Sequence, residues 1–422
     1  MVIDCMKFLS KNNFATLVYS TKYAISSLFF LSAQLIINIK LGRIFGPDLL
    51  GYYYAANSNT RVAGVALDFG LSQYAFKDIS VTPGNIANYR DIILPKRIIL
   101  TIFLFPIIFI ISRIISREYY LELFFIISAA TIIELLYNLW TNILAARGHY
   151  NRIILCSLTY LFIMTIFVFF SKFSFLLFTQ VLFLVTILVL FLLLKDHLDA
   201  KTFNNAIRHY FLFKIPLRYC LNIMTVNLLN IGISKMPIML LSLTSSNEEI
   251  GLFSASYALY SSLLIIPASL SVSYLNRLSG IHAELNVLQS KYKRILPLFI
   301  LLGFTVAITI SPIANTLIKQ LYGSKFIDSI KYLEILSFAA VLSFPNYFAT
   351  NFFIIFGYDK KVVHIKTLIF VLYIFCAYHF VARYSILGII YTTIIIEVVQ
   401  FILFNILIFG IQDAKNSQQE AC

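Results

Sequence analysis

The chain has 422 residues, of which 60% are hydrophobic and only 12% are charged, and its formal net charge is +14. Soluble globular domains carry about a quarter charged residues and about half apolar ones, so this composition excludes a soluble globular protein and a disordered one. It also argues against a nucleic-acid partner, because a nucleic-acid-binding protein needs its basic residues on a soluble surface. The composition therefore predicts an all-α protein that crosses a membrane many times.

Apolar stretches of about 20 residues, the length that crosses a bilayer as a helix, recur along the whole chain. The twelve predicted spans are 17–39, 52–76, 93–114, 121–145, 152–171, 174–194, 215–243, 250–275, 294–316, 330–356, 362–382 and 385–411. The longest loop, 195–214, follows the sixth span. We therefore expect an N-terminal six-helix lobe at 1–200 and a C-terminal six-helix lobe at 201–422.

The 33 basic residues predict how the protein is oriented in the membrane. With the N-terminus inside, 21 of them lie in loops and helix ends on the cytoplasmic side and 9 on the opposite side. Cytoplasmic loops of membrane proteins carry an excess of Lys and Arg, so both termini are predicted to be cytoplasmic. The three remaining basic residues lie inside spans, and they are Lys22, Arg61 and Lys235.

The two halves of the chain share short patterns at equivalent spans. Residues 47–55 align with 247–255, and Thr141-Asn142 in span 4 aligns with Thr350-Asn351 in span 10. An even number of spans separates the copies, so they have the same orientation in the membrane. Parallel repeats of this kind are typical of secondary transporters, in which two related bundles rock about a central cavity. The pattern therefore predicts two lobes around such a cavity.

Several segments resemble the motifs of the polysaccharide transporter family. The matching segments, in chain order, are 41–53, 68–71, 251–255, 321–323 and 335–338, followed by Asn346 and Gly357. Each match is short, but their order and spacing over nearly the whole chain agree with the family and with twelve spans. The family belongs to the multidrug/oligosaccharidyl-lipid/polysaccharide exporter superfamily, which also contains lipid II flippases and multidrug exporters.

The resemblance implies a flippase that moves undecaprenyl-diphosphate-linked O-antigen or other polysaccharide repeat units to the outer leaflet of a bacterial inner membrane. Its implied partners are the lipid-linked oligosaccharide, membrane lipid, and a polymerase and a chain-length regulator of the same pathway. Two departures weigh against lipid II as substrate. Many members have an acidic residue in span 7, where this chain has Ser234-Lys235. Lipid II flippases carry a basic residue within span 8, whereas the first basic residue here is Arg277, at the cytoplasmic end of that span.

Charged residues inside spans are costly and usually face a cavity or a buried partner. Arg61 and Asp68 are seven residues apart in span 2, which places them on nearly the same helix face about 10 Å apart. Either Arg61 attracts an anionic group and Asp68 offsets charge or carries a coupling cation, or each has a structural partner. Lys22 and Lys235 extend the basic set, although Lys22 can also extend to the cytoplasmic surface.

Polar residues also form stripes at helical spacing in spans 4, 7 and 12, where they either line a sugar-binding cavity or hold helices together. The substrate-cavity candidates are Lys22, Arg61, Asp68, Glu134, Asn138, Asn142, Asn227, Asn230 and Lys235. The ion-coupling candidates are Asp68, Glu134 and Glu397. For Glu397 and Gln400 in span 12, helix packing is the favoured interpretation.

The sequence contains no GxxxxGK[ST], HExxH or GxSxG motif, and its six His have no metal-binding spacing. We therefore expect no cofactor, no metal site and no catalytic residues, and a transporter rather than an enzyme. Two alternatives remain open. One is a repeat-unit polymerase of the same pathway, which would be expected to have a large outside loop with catalytic Arg or His. The other is a multidrug exporter of the same superfamily.

Overall fold

The fold is described from a computed structural model. The described residues are 11–72, 74, 105–106, 109–110, 121–146, 149–170, 174–194, 217–278, 285–356 and 358–419. They are helical apart from short turns, and they contain no β-strand. Most of predicted span 3 and all of loop 195–214 lie outside the described residues.

Eleven α-helices account for nearly all of the described residues. They are α1 Lys11–Asp68, α2 Leu121–Ala146, α3 Tyr150–Phe170, α4 Phe175–Leu194, α5 Leu217–Thr244, α6 Asn247–Leu263, α7 Ile265–Leu278, α8 Leu285–Leu321, α9 Ser329–Ile355, α10 Asp359–Tyr384 and α11 Ile386–Gln419. The described residues include 10 candidate membrane spans, judged by helix length and apolar composition. The predicted all-helical membrane fold is confirmed, and the number of twelve spans stays a prediction.

Helix α1 contains predicted spans 1 and 2, which meet at a kink. Gly46 has φ 84° and ψ −176°, a conformation that interrupts the helix and favours glycine. Pro47 then starts the second part, where its fixed φ suits the first helical position and its missing N–H is not needed. Asp48 follows in the first turn, where a negative charge is favourable near the helix N-terminus. These three residues therefore separate the two predicted spans.

Two other predicted spans have different limits in the structure. Span 8, predicted as continuous, is divided at Leu264 into α6 and α7. Pro267 explains the break, because its ring clashes with the carbonyl four residues earlier and it has no N–H to donate. Span 9 extends to Leu285–Leu321, beyond the predicted 294–316. Its first turns carry Lys291 and Lys293, so apolar content identified only the membrane portion of a longer helix.

Packing divides the chain into two compact units. The first comprises Met1–Lys40 and Tyr52–Leu243, and the second comprises Leu41–Gly51 and Thr244–Cys422. Thus α5 packs with the first unit, although it follows the predicted lobe boundary. These units reflect packing, whereas the predicted lobes reflect duplication of the sequence, so the lobe boundary at residue 200 stays a prediction.

Two glycines at aligned positions allow helices of the second unit to touch. A Cβ added to Gly51 would lie 1.8 Å from the carbonyl oxygen of Asn247, and a Cβ added to Gly251 would lie 1.8 Å from that of Pro47. In the alignment of 47–55 with 247–255, Gly51 corresponds to Gly251 and Pro47 to Asn247. The two contacts are therefore equivalent, as contacts related by a twofold axis are in an isologous interface. This reciprocity supports the predicted duplication.

The same region brings together three of the segments that carry the family resemblance. Gly42 faces the Tyr322 ring, 2.6 Å from where its Cβ would lie, and Arg43 donates to the carbonyl of Gln320 at 3.1 Å. Ser329 donates to the carbonyl of Leu252 at 2.8 Å. Segments 41–53, 251–255 and 321–323 therefore form one packing junction. Their observed contacts explain these motifs structurally.

Each unit has a helix that packs against several others. In the first unit, α2 contacts α3 and α4; in the second, α9 contacts α6, α7, α8, α10 and α11. Apolar and aromatic residues, including Phe348 and Phe352 of α9 with Tyr292 and Phe299 of α8, form a buried cluster in the second unit. Both α2 and α9 also carry polar side chains within their membrane spans, and these define the candidate site.

Candidate functional site

Arg61 and Glu134 form an ion pair within the first unit. Arg61 Nη2 lies 2.5 Å from Glu134 Oε2, and the two side chains retain only 19% and 10% of their exposed area. Gln34 Nε2 donates to Glu134 Oε1 at 3.1 Å, so both carboxylate oxygens are engaged. Glu134 lies near the middle of the span Glu122–Ala145. The pair therefore compensates two charges at a depth where either charge alone would be costly.

Neighbouring polar residues hold Arg61 in place. Arg61 Nε donates to Asn57 Oδ1 at 2.9 Å, and Asn57 Nδ2 donates to Thr131 Oγ1 at 3.1 Å. The buried hydroxyls of Thr60 and Ser128 lie 2.9 Å apart. Residues at three- and four-residue spacing on α1 thus meet residues at the same spacing on α2. This network fixes the direction of the guanidinium.

Lys235 is the third charge of this site. It lies near the middle of the span Ile223–Thr244 and is close enough to Arg61 and Glu134 for their charges to act on it. Its side chain is half-buried, and within the described part of the chain it makes no hydrogen bond or ion pair. Two positive charges and one negative charge leave the site with a net charge of +1. Such a site attracts an anion.

Lys22 lies elsewhere in the first unit. Its Nζ donates to Asn151 Oδ1 at 2.9 Å, near the start of α3. This contact agrees with the alternative that Lys22 extends toward the end of its span, where amphipathic side chains reach water. Its role in a substrate cavity stays a prediction.

Asp68 ends α1 and accepts hydrogen bonds from the main-chain N–H of Ser72, at 3.4 Å, and from the Ser72 hydroxyl. Phe69 and Gly70 follow with φ of 48° and 72°, which stops the helix. A Cβ on Gly70 would lie 2.6 Å from the carbonyl of Cys220 in α5. The segment 68–71 therefore has an evident structural role, and coupling through Asp68 stays a prediction.

The four predicted asparagines lie on the two helices that carry Glu134 and Lys235. Asn138 and Asn142 are half-buried and follow Glu134 on α2 at intervals of four residues. On α5, Asn227 is half-buried and Asn230 is exposed. Their part in a substrate cavity stays a prediction.

Glu397 belongs to a different polar cluster, within the second unit. It lies in the middle of the span Ile386–Ile408. Asn346 Nδ2 donates to Glu397 Oε2 at 2.6 Å and to the main-chain oxygen of the same residue at 2.9 Å. Lys366 Nζ donates to Gln400 Oε1 at 3.1 Å. These bonds join α9, α10 and α11, as the packing interpretation of Glu397 and Gln400 expects.

The sequence did not reveal four of these partners: Gln34, Asn57, Thr131 and Lys366. Asn57 had a detectable signal, because it precedes Arg61 by one helical turn and so faces the same side. Lys366 lies near the start of the predicted span 362–382, and only the structure places it beside Gln400.

Comparisons with known proteins agree with this fold. The model of the family described as polysaccharide biosynthesis protein matches residues 41–331. None of the curated proteins compared with the chain matches it.

Three solved structures illustrate the likeness. An inward-facing multidrug resistance MATE family transporter of the MOP superfamily has a TM-score of 0.71 and 16% identity, covering 94% of this chain and 99% of its own. The lipid II flippase MurJ, in an inward closed conformation, has a TM-score of 0.63 and 14% identity. The match covers 94% of this chain and 87% of MurJ. A MOP superfamily transporter from Pyrococcus furiosus has a TM-score of 0.54 and 14% identity. The match covers 93% of this chain and 96% of that transporter.

At these identities the likeness shows the fold, while the family match covers more than half of the chain. The protein belongs to the polysaccharide biosynthesis protein family, and it is a multi-pass membrane protein with the transporter fold of the MOP superfamily.

Proposed function

We propose that the protein is a flippase for undecaprenyl-diphosphate-linked repeat units of O-antigen or another surface polysaccharide. It moves them from the cytoplasmic to the outer leaflet of a bacterial inner membrane by alternating access, with both termini in the cytoplasm. The family match and the MurJ-like fold support this proposal, because MurJ is a flippase of a lipid-linked substrate.

Such a substrate needs a protein to cross the bilayer. Each polar group without a hydrogen bond costs several kcal/mol in hydrocarbon, and a sugar unit has many hydroxyl groups. In the proposed mechanism the diphosphate and sugars enter a hydrated cavity while the polyprenyl tail stays in lipid. Rocking of the two lobes then exposes the cavity to the other side.

The observation that carries the proposal is the half-buried Lys235 beside the Arg61–Glu134 pair. Its ammonium group makes no hydrogen bond or ion pair within the described residues, so it can bind a diphosphate without first breaking a contact there. The guanidinium of Arg61 suits phosphate oxygens, and its bonds to Glu134 and Asn57 hold it in a fixed direction. Lys22 would guide the anion at the entrance.

An ion gradient or removal of the product supplies the driving force in this proposal. Asp68 and Glu134 are the proposed ion carriers. If Glu134 carries the ion, its ion pair with Arg61 has to weaken, because the guanidinium favours the charged carboxylate over the protonated one. A flipping rate that does not respond to any ion gradient would contradict the coupling.

A reconstituted flipping assay tests the proposal. Proteoliposomes contain the lipid-linked repeat unit extracted from cells that lack the protein. We expect Arg61→Ala and Lys235→Gln each to lower the initial rate at least tenfold. Lys331→Gln, which removes an exposed charge at the start of α9, is the matched control and keeps the rate. Normal transport by both site variants would contradict binding of the diphosphate by these cations.

The two alternatives predict different phenotypes of a deletion strain. Loss of a flippase leaves lipid-linked units in the inner leaflet, whereas loss of a polymerase leaves single units that have already been exported. The likeness to a MATE transporter supports the second alternative, a multidrug exporter. A multidrug exporter would confer a drug-resistance profile that does not change when the sugar pathway is removed.

A further inference from the structure

The second unit carries its own polar cluster, and two of its positions align with site positions of the first unit in the predicted repeat. The alignment of 47–55 with 247–255 places Tyr257 where the first unit has Asn57. The alignment of Thr141-Asn142 with Thr350-Asn351 places Ser343 where it has Glu134. The two halves therefore present different chemistry at related places on their helices.

Buried residues form a supporting layer in this cluster. The hydroxyl groups of Tyr260 and Ser343 lie 2.7 Å apart, and both residues are buried. Asn346, also buried, donates to Glu397 on both its side chain and its main chain. The contacts hold the carboxylate of Glu397 in a fixed position on α11.

Partly open residues form a second layer over the first. Glu397, Lys366 and Tyr257 are half-buried, and Tyr347 is 40% exposed. The charge of Glu397 acts on the hydroxyls of Tyr257 and Tyr347 and on the ammonium of Lys366. Lys366 also donates a hydrogen bond to Gln400, so the cluster contains both donor and acceptor groups. This arrangement combines aromatic rings with groups that bind hydroxyls.

The charge balance indicates what this layer binds. Glu397 and Lys366 sum to zero, whereas the site in the first unit has a net charge of +1, so a diphosphate is favoured only in the first unit. The ammonium of Lys366 within electrostatic range of the carboxylate disfavours a metal cation there. Asn346 Oδ1 is buried without a hydrogen-bond partner among the described residues, and it lies in the supporting layer.

We propose that Glu397, Lys366, Gln400, Tyr257 and Tyr347 form a subsite for a neutral, hydroxyl-rich sugar ring of the substrate. In this proposal the second unit binds part of the glycan. The inference rests on the proposed flippase function, because it assigns a portion of the same substrate. In this subsite the carboxylate accepts hydrogen bonds from sugar hydroxyls, the ammonium donates to them, and the tyrosine rings cover the apolar face of the sugar.

Binding of two probes to the full-length protein in nanodiscs tests the subsite. One probe is the lipid-linked repeat unit extracted from cells that lack the protein, and the other is undecaprenyl diphosphate without sugar. We expect Glu397→Gln to raise Kd for the first probe about tenfold and to leave Kd for the second unchanged. Tyr257→Phe is expected to raise the first Kd about threefold. Arg61→Ala is expected to weaken both probes alike.

Glutamine at 397 can still accept the hydrogen bond from Asn346, so this variant keeps the fold. Glu122→Gln and Tyr378→Phe, which change exposed residues, are the matched controls. If the wild type binds both probes and Glu397→Gln weakens neither or both equally, the sugar subsite is wrong while the flippase function stands. Sodium binding by the wild type that disappears in Glu397→Gln would also overturn the subsite. A wild type that binds neither probe contradicts the flippase function itself.

Discussion

In the first unit the carboxylate of Glu134 is held by the guanidinium of Arg61, whereas in the second the carboxylate of Glu397 is held by the amide of Asn346. Both acids lie near the middle of a membrane span. In the first unit each partner compensates the charge of the other, so neither can be removed without leaving an isolated ion. In the second unit the donor to the carboxylate is the neutral amide of Asn346. Replacing Glu397 therefore leaves no isolated charge on its partner, and the loss of stability is expected to be smaller.

This contrast agrees with the proposal that the two polar clusters have separate tasks. An ion pair with a further lysine nearby keeps a fixed positive potential. A carboxylate bound by an amide and surrounded by tyrosine hydroxyls instead offers hydrogen bonds without excess charge. The same substitution at the two acids therefore gives a direct comparison of the units.

The largest effect is expected from Glu134→Gln. This substitution keeps the size of the side chain but removes the charge that compensates Arg61 and Lys235. Breaking a buried ion pair by removing one partner costs about 3–5 kcal/mol. Unfolding of the purified protein in detergent should show a loss of this size.

A double variant provides the control for that prediction. Arg61→Gln together with Glu134→Gln removes both charges of the pair, so we expect it to recover part of the stability that Glu134→Gln loses. A double variant less stable than either single variant would show that the pair does not account for the penalty.

Glu397→Gln should have a smaller effect of about 1–2 kcal/mol. The new amide oxygen still accepts from Asn346, and only the difference between a charged and a neutral hydrogen bond is lost. The same unfolding measurement checks this value. A loss as large as that of Glu134→Gln would remove the contrast between the two units.

The smallest effect is expected from Thr60→Val, about 0.5–1 kcal/mol. Valine keeps the shape of threonine but loses the hydroxyl that lies 2.9 Å from Ser128. The flipping rate should stay close to wild type, because Arg61 keeps its bonds to Asn57 and Glu134. A large loss of transport with normal stability would instead place Thr60 in the substrate path.

The sequence was sufficient to predict the helical membrane fold and to single out charges within the predicted spans. Apolar stretches of sufficient length predict membrane helices, and Arg61, Glu134 and Lys235 stood out because charge is rare there. Which helices meet could not be predicted, because the apolar pattern is the same on every face that contacts lipid or another helix. The pairing of Arg61 with Glu134 and the placement of Lys366 beside Gln400 depend on that packing.

The family motifs identify the family but not the residues of the candidate site. They pointed correctly to the family, but three of them meet in a packing junction around Gly42, Gly51 and Gly251, and their contacts there are structural. A motif that identifies a family does not by itself identify the residues that contact substrate.

The reciprocal contact of Gly51 and Gly251 has an evolutionary consequence. Each glycine needs a close approach of the other copy's backbone, so a larger residue at either one disturbs the packing of both. Under the predicted duplication, the two copies therefore constrain each other at this crossing. Six residues farther along, the aligned positions hold Asn57 and Tyr257, which differ in chemistry. A duplicated chain can thus keep a shared crossing point while its two halves acquire different chemistry less than two helical turns away.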